Sequence, residues 1–476
     1  MSELSRRRRL LILAICCMSL FIVGLDNTIV NLALPSIKRE LGSSLSSLQW
    51  TIDAYTIVLA SLLMLSGSVA DRVGRKRTFQ IGLVLFGIGS LLCGIAPNTG
   101  LLIAFRALQA IGGSMLNPVA MSIITNTFTD PRERANAIGV WGGVIGLSMA
   151  LGPVLGGVLV DAVSWRSVFW INVPIAALAV VLVALFVPES RAQYARRLDP
   201  VGQVAVMLVL LGLTFGIIEG PHTGWTSPLI LGCFAVAVAA LVFLIGYERR
   251  ITEPLLNPRF FRSIPFSGAT LIAICAFAAL SGFLFLNMMY LQSVRGFSAL
   301  HAGLLTIPMA AANALFAPLS GRIVGSVGPR IPLLIAGASI LGGGLMLTGI
   351  GTQTSLLYLG VAYLLFGIGF GMVNAPITNA AVSGMPRAQA GTAAAVASTS
   401  RQVGASLGVA VLGSVVTANI VGPFGAGFVD ASRLTWWIMA AIGVAIVMLA
   451  LLSTGRRAVA SAAAVVPQEP SEVRSA

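Results

Sequence analysis

The sequence predicts an all-α membrane protein with fourteen transmembrane helices, and three observations lead to this fold class. Hydrophobic residues make up 57% of the 476 residues, whereas charged residues make up only 10%. A soluble chain carries about 25% charged residues, so most of the outer surface must contact lipid. The apolar residues form runs of spanning length, and the basic residues are concentrated on one side of those runs.

The first part of the chain supplies six runs of the length that a bilayer core about 30 Å thick requires. We predict spans at 11–33, 48–69, 79–96, 100–123, 135–159 and 168–187. The opening SRRRRLLILAICC resembles a signal peptide, but its run is long enough to span and no small-residue cleavage site follows before Asp26. We therefore expect residues 1–190 to form a six-helix bundle that retains its first span.

Eight further runs follow. Predicted spans at 200–218 and 227–247 form an inserted pair within residues 191–262. A second six-helix bundle within residues 263–454 is predicted to have spans at 265–290, 302–321, 332–350, 354–380, 391–416 and 434–453. Residues 455–476 lack an apolar run of spanning length and are expected to form a disordered cytoplasmic tail.

The distribution of basic residues supports this arrangement. With both termini in the cytoplasm, two arginines, Arg106 and Arg401, fall within spans. The basic residues on the outer side are Lys38, Arg39, Arg166, Arg295 and Arg433. All other Lys and Arg lie on the cytoplasmic side, as the positive-inside rule requires. A missed or additional span would scramble this asymmetry, so we predict an even number of spans.

Two halves of the chain carry similar segments. LQAIGGSMLN (Leu108–Asn117) matches LFGIGFGMVN (Leu365–Asn374), and LGPVLGG (151–157) faces LGVAVLG (407–413) at nearly the same separation. The loop GSVADRVGRK (67–76) has a fainter counterpart in the second half. These matches pair spans 2, 4 and 5 with spans 10, 12 and 13, which indicates duplicated six-helix bundles.

Several motifs together resemble a known family. The strings are GSVADRVGRKR (67–77), LDNTIVNLALP (25–35), RALQAIGG (106–113), WRSVFWINVP (165–174) and RQVGASLG (401–408). They resemble the major facilitator superfamily, and within it the fourteen-span drug:proton antiporters of the EmrB/QacA type. Ala110 and Ser148 stand where that family usually has Gly.

The resemblance implies the major facilitator fold, arranged as 6+2+6 helices, in a bacterial plasma membrane. It implies a proton-coupled antiporter that exports hydrophobic or amphipathic small molecules, such as drugs, dyes or antibiotics, by alternating access. The expected partners are a small-molecule substrate, protons and membrane lipid, with no nucleic acid, no cofactor and no metal, and we expect a monomer. The alternative within transporters is a dedicated exporter of one endogenous metabolite, lipid or siderophore.

Other functional classes lack their usual signals. The sequence has no nucleophile–base pair, no metal-ligand spacing and no phosphate-binding loop, which disfavours an enzyme or an ATP-driven pump. The longest polar loops, at 188–199 and 248–264, are too short to hold the soluble domain expected of a sensor.

Three ionisable residues fall at a similar depth in the first bundle. Asp26 lies roughly 25 Å along a 30 Å core, Arg106 lies roughly 9 Å from the outer face, and Asp53 lies at a similar level. Charges there are costly and face each other or a wet cavity. We predict a proton-coupling role for all three, with a structural role as the alternative.

The loop between spans 2 and 3 is predicted to act as a gate. Its residues are Gly67, Asp71, Arg72, Gly74, Arg75 and Lys76. The glycines permit a tight turn, and Asp71 can cap a helix or pair with an arginine. The alternative is that the loop only supplies cytoplasmic positive charge.

Two further sets are predicted from the motifs. An antiporter motif in span 5, where Gly-Pro is expected to break the helix, consists of Gly139, Gly152, Pro153, Gly156 and Gly157. A generic kinked helix is the alternative. Candidate substrate-cavity residues are Trp50, Tyr55, Gln109, Asn117 and Arg401. Packing within the bundle is the alternative for each of them.

Overall fold

The computed structural model describes residues 5–191, 199–251, 258–382 and 390–455, together with 458, 460 and 461. The first half contains α1 (Arg6–Leu41), α2 (Leu45–Val73), α3 (Arg75–Gly94), α4 (Thr99–Thr127), α5 (Pro131–Ala162), α6 (Ser167–Trp170) and α7 (Asn172–Phe186). Then follow α8 (Pro200–Thr223) and α9 (Pro228–Glu248). The last part contains α10 (Ile264–Met289), α11 (Ala299–Leu305), α12 (Ile307–Val327), α13 (Arg330–Leu347), α14 (Leu356–Val382), α15 (Ala390–Asn419) and α16 (Phe424–Ser453). Most of the predicted tail, 455–476, lies outside the described residues.

Helix ends follow local signals in the sequence. Ser44 and Asn98 precede α2 and α4, and each side chain accepts a hydrogen bond from a backbone N–H of the first turn. Gly42 ends α1 with φ +63°, a left-handed conformation that favours glycine. The connections from α1 to α2 and from α3 to α4 are therefore short, and the helices that follow them have capped N-termini.

In the described part of the chain, thirteen helices are long and apolar enough to cross a membrane. The chain is thus a multi-pass membrane protein. The remaining predicted span, 135–159, falls on α5, which has an apolar stretch at Leu151–Ala162. The count of fourteen stays a prediction. The predicted break at Gly152–Pro153 is wrong, because α5 runs through Pro153 without interruption.

The two halves have the same pattern of helix contacts. In the first half α2 and α3 pack against α4, and α1 packs against α5; in the second half α12 and α13 pack against α14, and α10 packs against α15. These pairs correspond through the repeated segments found in the sequence. We refer to the two sets of helices, α1–α7 and α10–α16, as the first and second bundle.

The bundles meet near the connection between α1 and α2, which we call the α1–α2 end. Gln49 Nε2 of α2 donates to Val409 O and Ala410 O of α15, each at 3.0 Å. Asp161, at the end of α5, accepts hydrogen bonds from the backbone N–H groups of Ala299 and Leu300, at 3.1 and 2.8 Å. Side chains of the first bundle therefore bind main-chain groups of the second.

The inserted helices lie beside the contact of α2 with α15, which we call the seam between the bundles. Helix α8 packs against α9 and also against both α2 and α15. Trp50 Nε1 of α2 donates to Glu219 Oε1 of α8 at 2.8 Å. Glu219 lies within α8, beyond the predicted end of that span at residue 218. The insertion thus covers one line of contact between the two bundles.

Candidate functional site

A buried ion pair lies inside the first bundle. Arg106 Nη1 of α4 donates to Asp26 Oδ2 of α1 at 2.6 Å, and the two side chains are 2% and 0% exposed. Removing one member of such a pair is expensive because it leaves the other charge buried without compensation. The depth argument from the sequence thus placed two residues that are in direct contact.

Polar side chains from other helices complete the cluster. Gln109 Nε2 donates to Asp26 Oδ1 at 3.0 Å, and Gln109 Oε1 accepts from Arg106 Nη1 at 2.7 Å. Asn172 Nδ2 of α7 donates to Asp26 Oδ1 at 3.2 Å. Ser90 Oγ of α3 accepts from both Gln109 and Asn172. Four helices therefore contribute side chains to one buried network.

Arg106 also contacts the neighbouring helix α2. Its Nε donates to the carbonyl oxygen of Thr51 at 3.1 Å, and its guanidinium lies 4.1 Å from the centre of the Tyr55 ring. The guanidinium therefore combines an ion pair, two further hydrogen bonds and a cation–π contact. Tyr55 and Gln109, which we predicted as substrate-cavity residues, belong to this network.

Asp53 faces a different neighbour. It lies two positions from Thr51 and from Tyr55, about 200° around the helix axis, and so points away from Arg106. It shares its face of α2 with Gln49, which binds α15. Ser406 of α15 lies beside the Asp53 carboxyl, and neither carboxyl oxygen has a hydrogen-bond partner in the structure. Asp53 is fully buried and lies at the seam between the bundles.

The other predicted cavity residues lie in separate places. Trp50 contacts Glu219 of the inserted helix α8. Asn117 lies on α4, and its buried Oδ1 has no hydrogen-bond partner in the structure. Arg401 lies on α15, where its Nη2 donates to Thr378 Oγ1 at 2.6 Å. These residues do not form one cluster.

The loop between α2 and α3 is held by contacts within the first bundle. Arg75 donates to Asp71 Oδ1 through Nη2 at 2.9 Å and through Nε at 3.2 Å. Gly74 has φ +122°, and a side chain there would collide with Glu189. The Glu189 carboxylate in turn accepts from the backbone N–H of Lys76 at 3.1 Å. The predicted pairing of Asp71 with an arginine is therefore present, and Glu189 supports the turn.

Other residues of the loop between α2 and α3, and of the helix ends beside it, also contact neighbours. Lys76 Nζ donates to Ala184 O of α7 at 2.7 Å, and Arg75 N donates to Ser190 O at 2.9 Å. Gly67 lies against Pro118 of α4. Arg72 is exposed on the last turn of α2. The gating role itself stays a prediction.

The glycines of α5 differ in what they pack against. A Cβ at Gly152 would collide with Thr28, and one at Gly156 would lie 2.6 Å from Ile29 Cγ1, so both glycines allow α1 to approach. Gly157 faces the second bundle, where a Cβ would lie 2.5 Å from the Cα of Leu300. The backbone carbonyl of Pro153 packs against Gly303 of α11. Gly139 has open space around it, so it does not share the close packing expected of the motif.

Sequence reasoning missed three residues that the geometry identifies. Ser90 and Asn172 bind the Asp26 network, and Glu189 holds the loop between α2 and α3. Asn172 lies within the motif WRSVFWINVP, and a polar residue in an otherwise apolar span was an available signal. Ser90 and Glu189 carry no comparable signal, because serine is common in membrane helices and Glu189 lies just beyond a span.

The fold and the network agree with a match to a family model. The description of that model is the Major Facilitator Superfamily, and the match extends over residues 16–409. The chain belongs to the major facilitator superfamily. Members of this superfamily are transporters that act on small molecules, and the chain is accordingly a transporter rather than an enzyme.

Relatives within the superfamily are similar over most of the chain. The multidrug resistance protein Stp of Mycobacterium tuberculosis is 35% identical over 412 residues, which is 87% of this chain and 76% of Stp. The tetracenomycin C resistance and export protein of Streptomyces glaucescens is 35% identical over 404 residues, covering 84% of this chain and 74% of that protein. Both relatives are bacterial proteins, one named for multidrug resistance and the other for resistance and export.

A solved structure has the same fold. It is the crystal structure of a bacterial homologue of the human lysosomal transporter Spinster, in an inward-facing and unoccupied conformation. The TM-score is 0.68 at 17% sequence identity, and the match covers 96% of this chain and 99% of that one. At this identity the likeness concerns the fold alone.

Proposed function

We propose that this transporter is a proton-coupled antiporter that exports hydrophobic or amphipathic small molecules by alternating access. The observation that carries the proposal is the buried pair of Asp26 and Arg106, a carboxylate and a guanidinium that are almost inaccessible in the first bundle. Charges inside a membrane protein are retained at a cost and mark ion pathways. The relatives named for multidrug resistance and antibiotic export support a drug-like cargo.

Proton exchange at Asp26 would rearrange this network. Arg106 stays charged when buried and cannot itself carry the transported proton, so within this pair Asp26 is the group that can take it up. A proton on Asp26 neutralises the carboxylate and weakens its attraction for Arg106. The guanidinium then keeps its bonds to Thr51 O and Gln109 Oε1. This gives the network two arrangements with different net charge.

The contacts at the α1–α2 end support the alternating-access part of the proposal. The positive-inside distribution of Lys and Arg supports an orientation with this end outside the cell and both termini in the cytoplasm. The hydrogen bonds of Gln49 and Asp161 to the second bundle then close the outer side. Their breakage would open a path from the space between the bundles to the exterior.

Asp53 is the second candidate for the transported proton. It is buried at the seam, where opening of the outer side would expose it to water. An ionised carboxylate without a close partner is unfavourable in such a place. In this proposal Asp53 binds a proton while the seam is closed, and Asp26 exchanges its proton within the first bundle.

The finer assignment follows the motif resemblance. We place the chain among fourteen-span antiporters of the EmrB/QacA type, with α5 as the span that completes the count, and we expect it to act as a monomer. The packing of Gly152 and Gly156 against α1 fits a rigid first bundle. The division at 1–190, 191–262 and 263–454 remains part of this proposal.

A dedicated exporter is the second candidate function. One relative is named for a single compound, tetracenomycin C, which favours a narrow specificity. The site network is compatible with either breadth of specificity because Asp26 and Arg106 contact each other rather than open space.

The deciding experiment uses inverted membrane vesicles that are acidified inside and report pH through a fluorescent dye. Wild-type protein, Asp26→Asn and Asp53→Asn are tested with a panel of lipophilic cations, neutral antibiotics and amphipathic acids, at matched amounts in the membrane. We expect compound-dependent proton release with wild type and none with Asp26→Asn. Release that persists in Asp26→Asn would remove Asp26 from the coupling path, and its loss in Asp53→Asn alone would place the proton there.

The same assay separates the two candidate functions. Proton release with several unrelated compounds supports a multidrug antiporter. A response to one compound only supports the dedicated exporter. Compound transport that continues when the proton gradient is collapsed would contradict proton coupling.

A further inference from the structure

The second bundle contains a membrane-embedded cation without an acidic partner. Arg401 lies on α15, roughly 16 Å from the start of that helix at Ala390. The sequence from 263 to 454 contains one acidic residue, Asp430. Asp430 lies on α16, is exposed, and forms its ion pair with Arg433. The bundle that holds Arg401 therefore offers it no carboxylate.

Three acidic residues within the described helices of the rest of the protein have other neighbours. Asp26 is paired with Arg106, and Glu219 accepts from Trp50. Asp53 faces Ser406, which lies five residues from Arg401 on α15 and about 140° around its axis. Among the residues that the structure describes, no ion pair includes Arg401. The two arginines within spans thus differ, since Arg106 is compensated and Arg401 is not.

The surroundings of Arg401 leave hydrogen-bond donors available. Nη2 donates to Thr378 Oγ1 of α14 at 2.6 Å. The guanidinium carbon lies 5.9 Å from the centre of the Phe277 ring of α10. Nε is shielded from solvent and has no hydrogen-bond partner. A guanidinium presents several donors in a planar fork, so most of its capacity remains for another group.

The exposed side of the Arg401 guanidinium lies next to a polar residue, Thr378. Thr378 is exposed in the structure, and Arg401 is partly exposed. A guanidinium that faced the lipid core would be very costly, so the space beside Thr378 is the water-accessible side of the second bundle. Val403, two positions along α15, packs instead with the group of Ile57 and Leu210 at the seam. Arg401 is therefore directed away from the inserted helices.

We infer that Arg401 binds an oxyanion of the exported compound, such as a carboxylate, sulfonate or phenolate on an aromatic or planar amphipathic molecule. The inference rests on the proposed export function and names the chemical class of its substrate. An arginine fork binds planar oxyanions through two parallel hydrogen bonds. The Phe277 ring supplies an apolar surface next to the charge for the aromatic part of the ligand.

The test compares two fluorescent probes that share one skeleton. The first is 8-anilinonaphthalene-1-sulfonate, and the second is N-phenyl-1-naphthylamine, which lacks the sulfonate. Purified full-length protein in phosphatidylcholine nanodiscs is titrated with each probe, and the signal of empty nanodiscs is subtracted. The measured quantity is the ratio of the two dissociation constants, so that differences in apolar partitioning cancel between variants.

We expect Arg401→Gln to weaken sulfonate binding relative to the neutral probe by about tenfold or more, as for loss of a charge-assisted hydrogen bond. Arg401→Lys should lie between wild type and Arg401→Gln. Thr378→Val keeps the guanidinium and should keep the preference. Arg433→Gln removes an exposed arginine of the same bundle and is the matched control, with an unchanged ratio. An unchanged ratio in Arg401→Gln would overturn the inference.

Two further arms identify the source of the oxyanion and separate the inference from the export function. If phosphatidylglycerol in the nanodiscs removes the difference in ratio between wild type and Arg401→Gln, a lipid phosphate occupies the site and the inference is wrong. A loss of sulfonate binding that is equal in both proteins reflects repulsion by the anionic surface, and the remaining difference then supports the inference. If the ratios behave as expected but the sulfonate probe causes no proton release from energised wild-type vesicles, the oxyanion site stands and proton-coupled export of such compounds fails.

Discussion

Asp26 accepts hydrogen bonds from Arg106, Gln109 and Asn172 in a fully buried position. The two charged members respond differently to the loss of their partner. A carboxyl can bind a proton and become neutral, whereas a guanidinium remains charged. The stability of the network therefore depends on which member is removed.

We predict that Asp26→Asn lowers the free energy of unfolding by about 3–5 kcal/mol, because it leaves the buried guanidinium uncompensated. Arg106→Gln should cost less, since Asp26 can take up a proton. The double variant Asp26→Asn/Arg106→Gln should be more stable than Asp26→Asn alone. Chemical denaturation of the purified protein, followed by tryptophan fluorescence, measures these differences. Asp71→Asn, at a partly exposed pair, is the control and should cost about 0–1 kcal/mol.

Losses that simply add in the double variant would show that the two residues act independently. This outcome would contradict the ion pair as the source of the stability. It would leave the transport assay of Asp26→Asn unaffected, because that assay measures coupling at matched protein amounts.

The sequence indicates how deep these residues lie in the membrane, but not which neighbouring helix each side chain faces. Helix rise alone placed Asp26 and Arg106 in one layer, and the structure brings them into contact. Asp53 lies on the face of α2 opposite Thr51 and Tyr55. The helical period indicates that the faces differ, but only the packing of α2 between α4 and α15 determines which residues each face meets.

At the scale of the element, α5 combines close packing and open space along one helix. Gly156 allows α1 to approach, whereas Gly139 has nothing within 4 Å of a Cβ position. The two glycines therefore serve as a matched pair in the same helix.

We predict that Gly156→Ala destabilises the protein by about 1–3 kcal/mol, because the new methyl group would collide with Ile29. Gly139→Ala should be neutral or stabilising by up to about 1 kcal/mol, since alanine favours the helix more than glycine does. Thermal unfolding of the purified variants measures both. Equal effects of the two substitutions would contradict the packing role of Gly156.

The helices themselves were largely predictable, because runs of about 20 apolar residues have few alternatives in a membrane. The predicted break in α5 failed for a physical reason. Proline is tolerated inside membrane helices where neighbouring groups compensate the lost hydrogen bond, and α5 continues through Pro153 to Ala162. The continuity of α5 at this point depends on tertiary packing, such as that of Gly152 against Thr28 of α1, which the local sequence does not reveal.

At the scale of the whole molecule, the two bundles are joined by side chains of one that bind the backbone of the other. Gln49 donates to two carbonyl groups of α15, Gln292 donates to Leu32 O of α1, and Asp161 accepts from two N–H groups at the start of α11. Such bonds form only when the bundles are close. They therefore favour the state in which the α1–α2 end is closed.

We predict that Asp161→Ala shifts the protein towards a state that is open at the α1–α2 end. The carboxylate makes two charge-assisted hydrogen bonds, and the loss of even one of them would change the equilibrium between the states by about tenfold or more. Spin labels at Gly100 and Gln353, two exposed positions on different bundles at this end, report the distance by pulsed electron resonance in a background without native cysteines. We expect a longer distance to gain population in Asp161→Ala, and an intermediate shift in Asp161→Asn, which keeps one oxygen acceptor.

Asp430→Asn is the control for this prediction. Asp430 is an exposed carboxylate whose ion pair is with Arg433 of the same helix, so its removal should leave the distance distribution unchanged. If Asp161→Ala also leaves the distribution unchanged, the closed end is held by packing, such as the contact of Gly157 with Leu300. Gly157→Ala would then be the variant that opens it, because a methyl group there cannot be accommodated while α5 and α11 remain in contact.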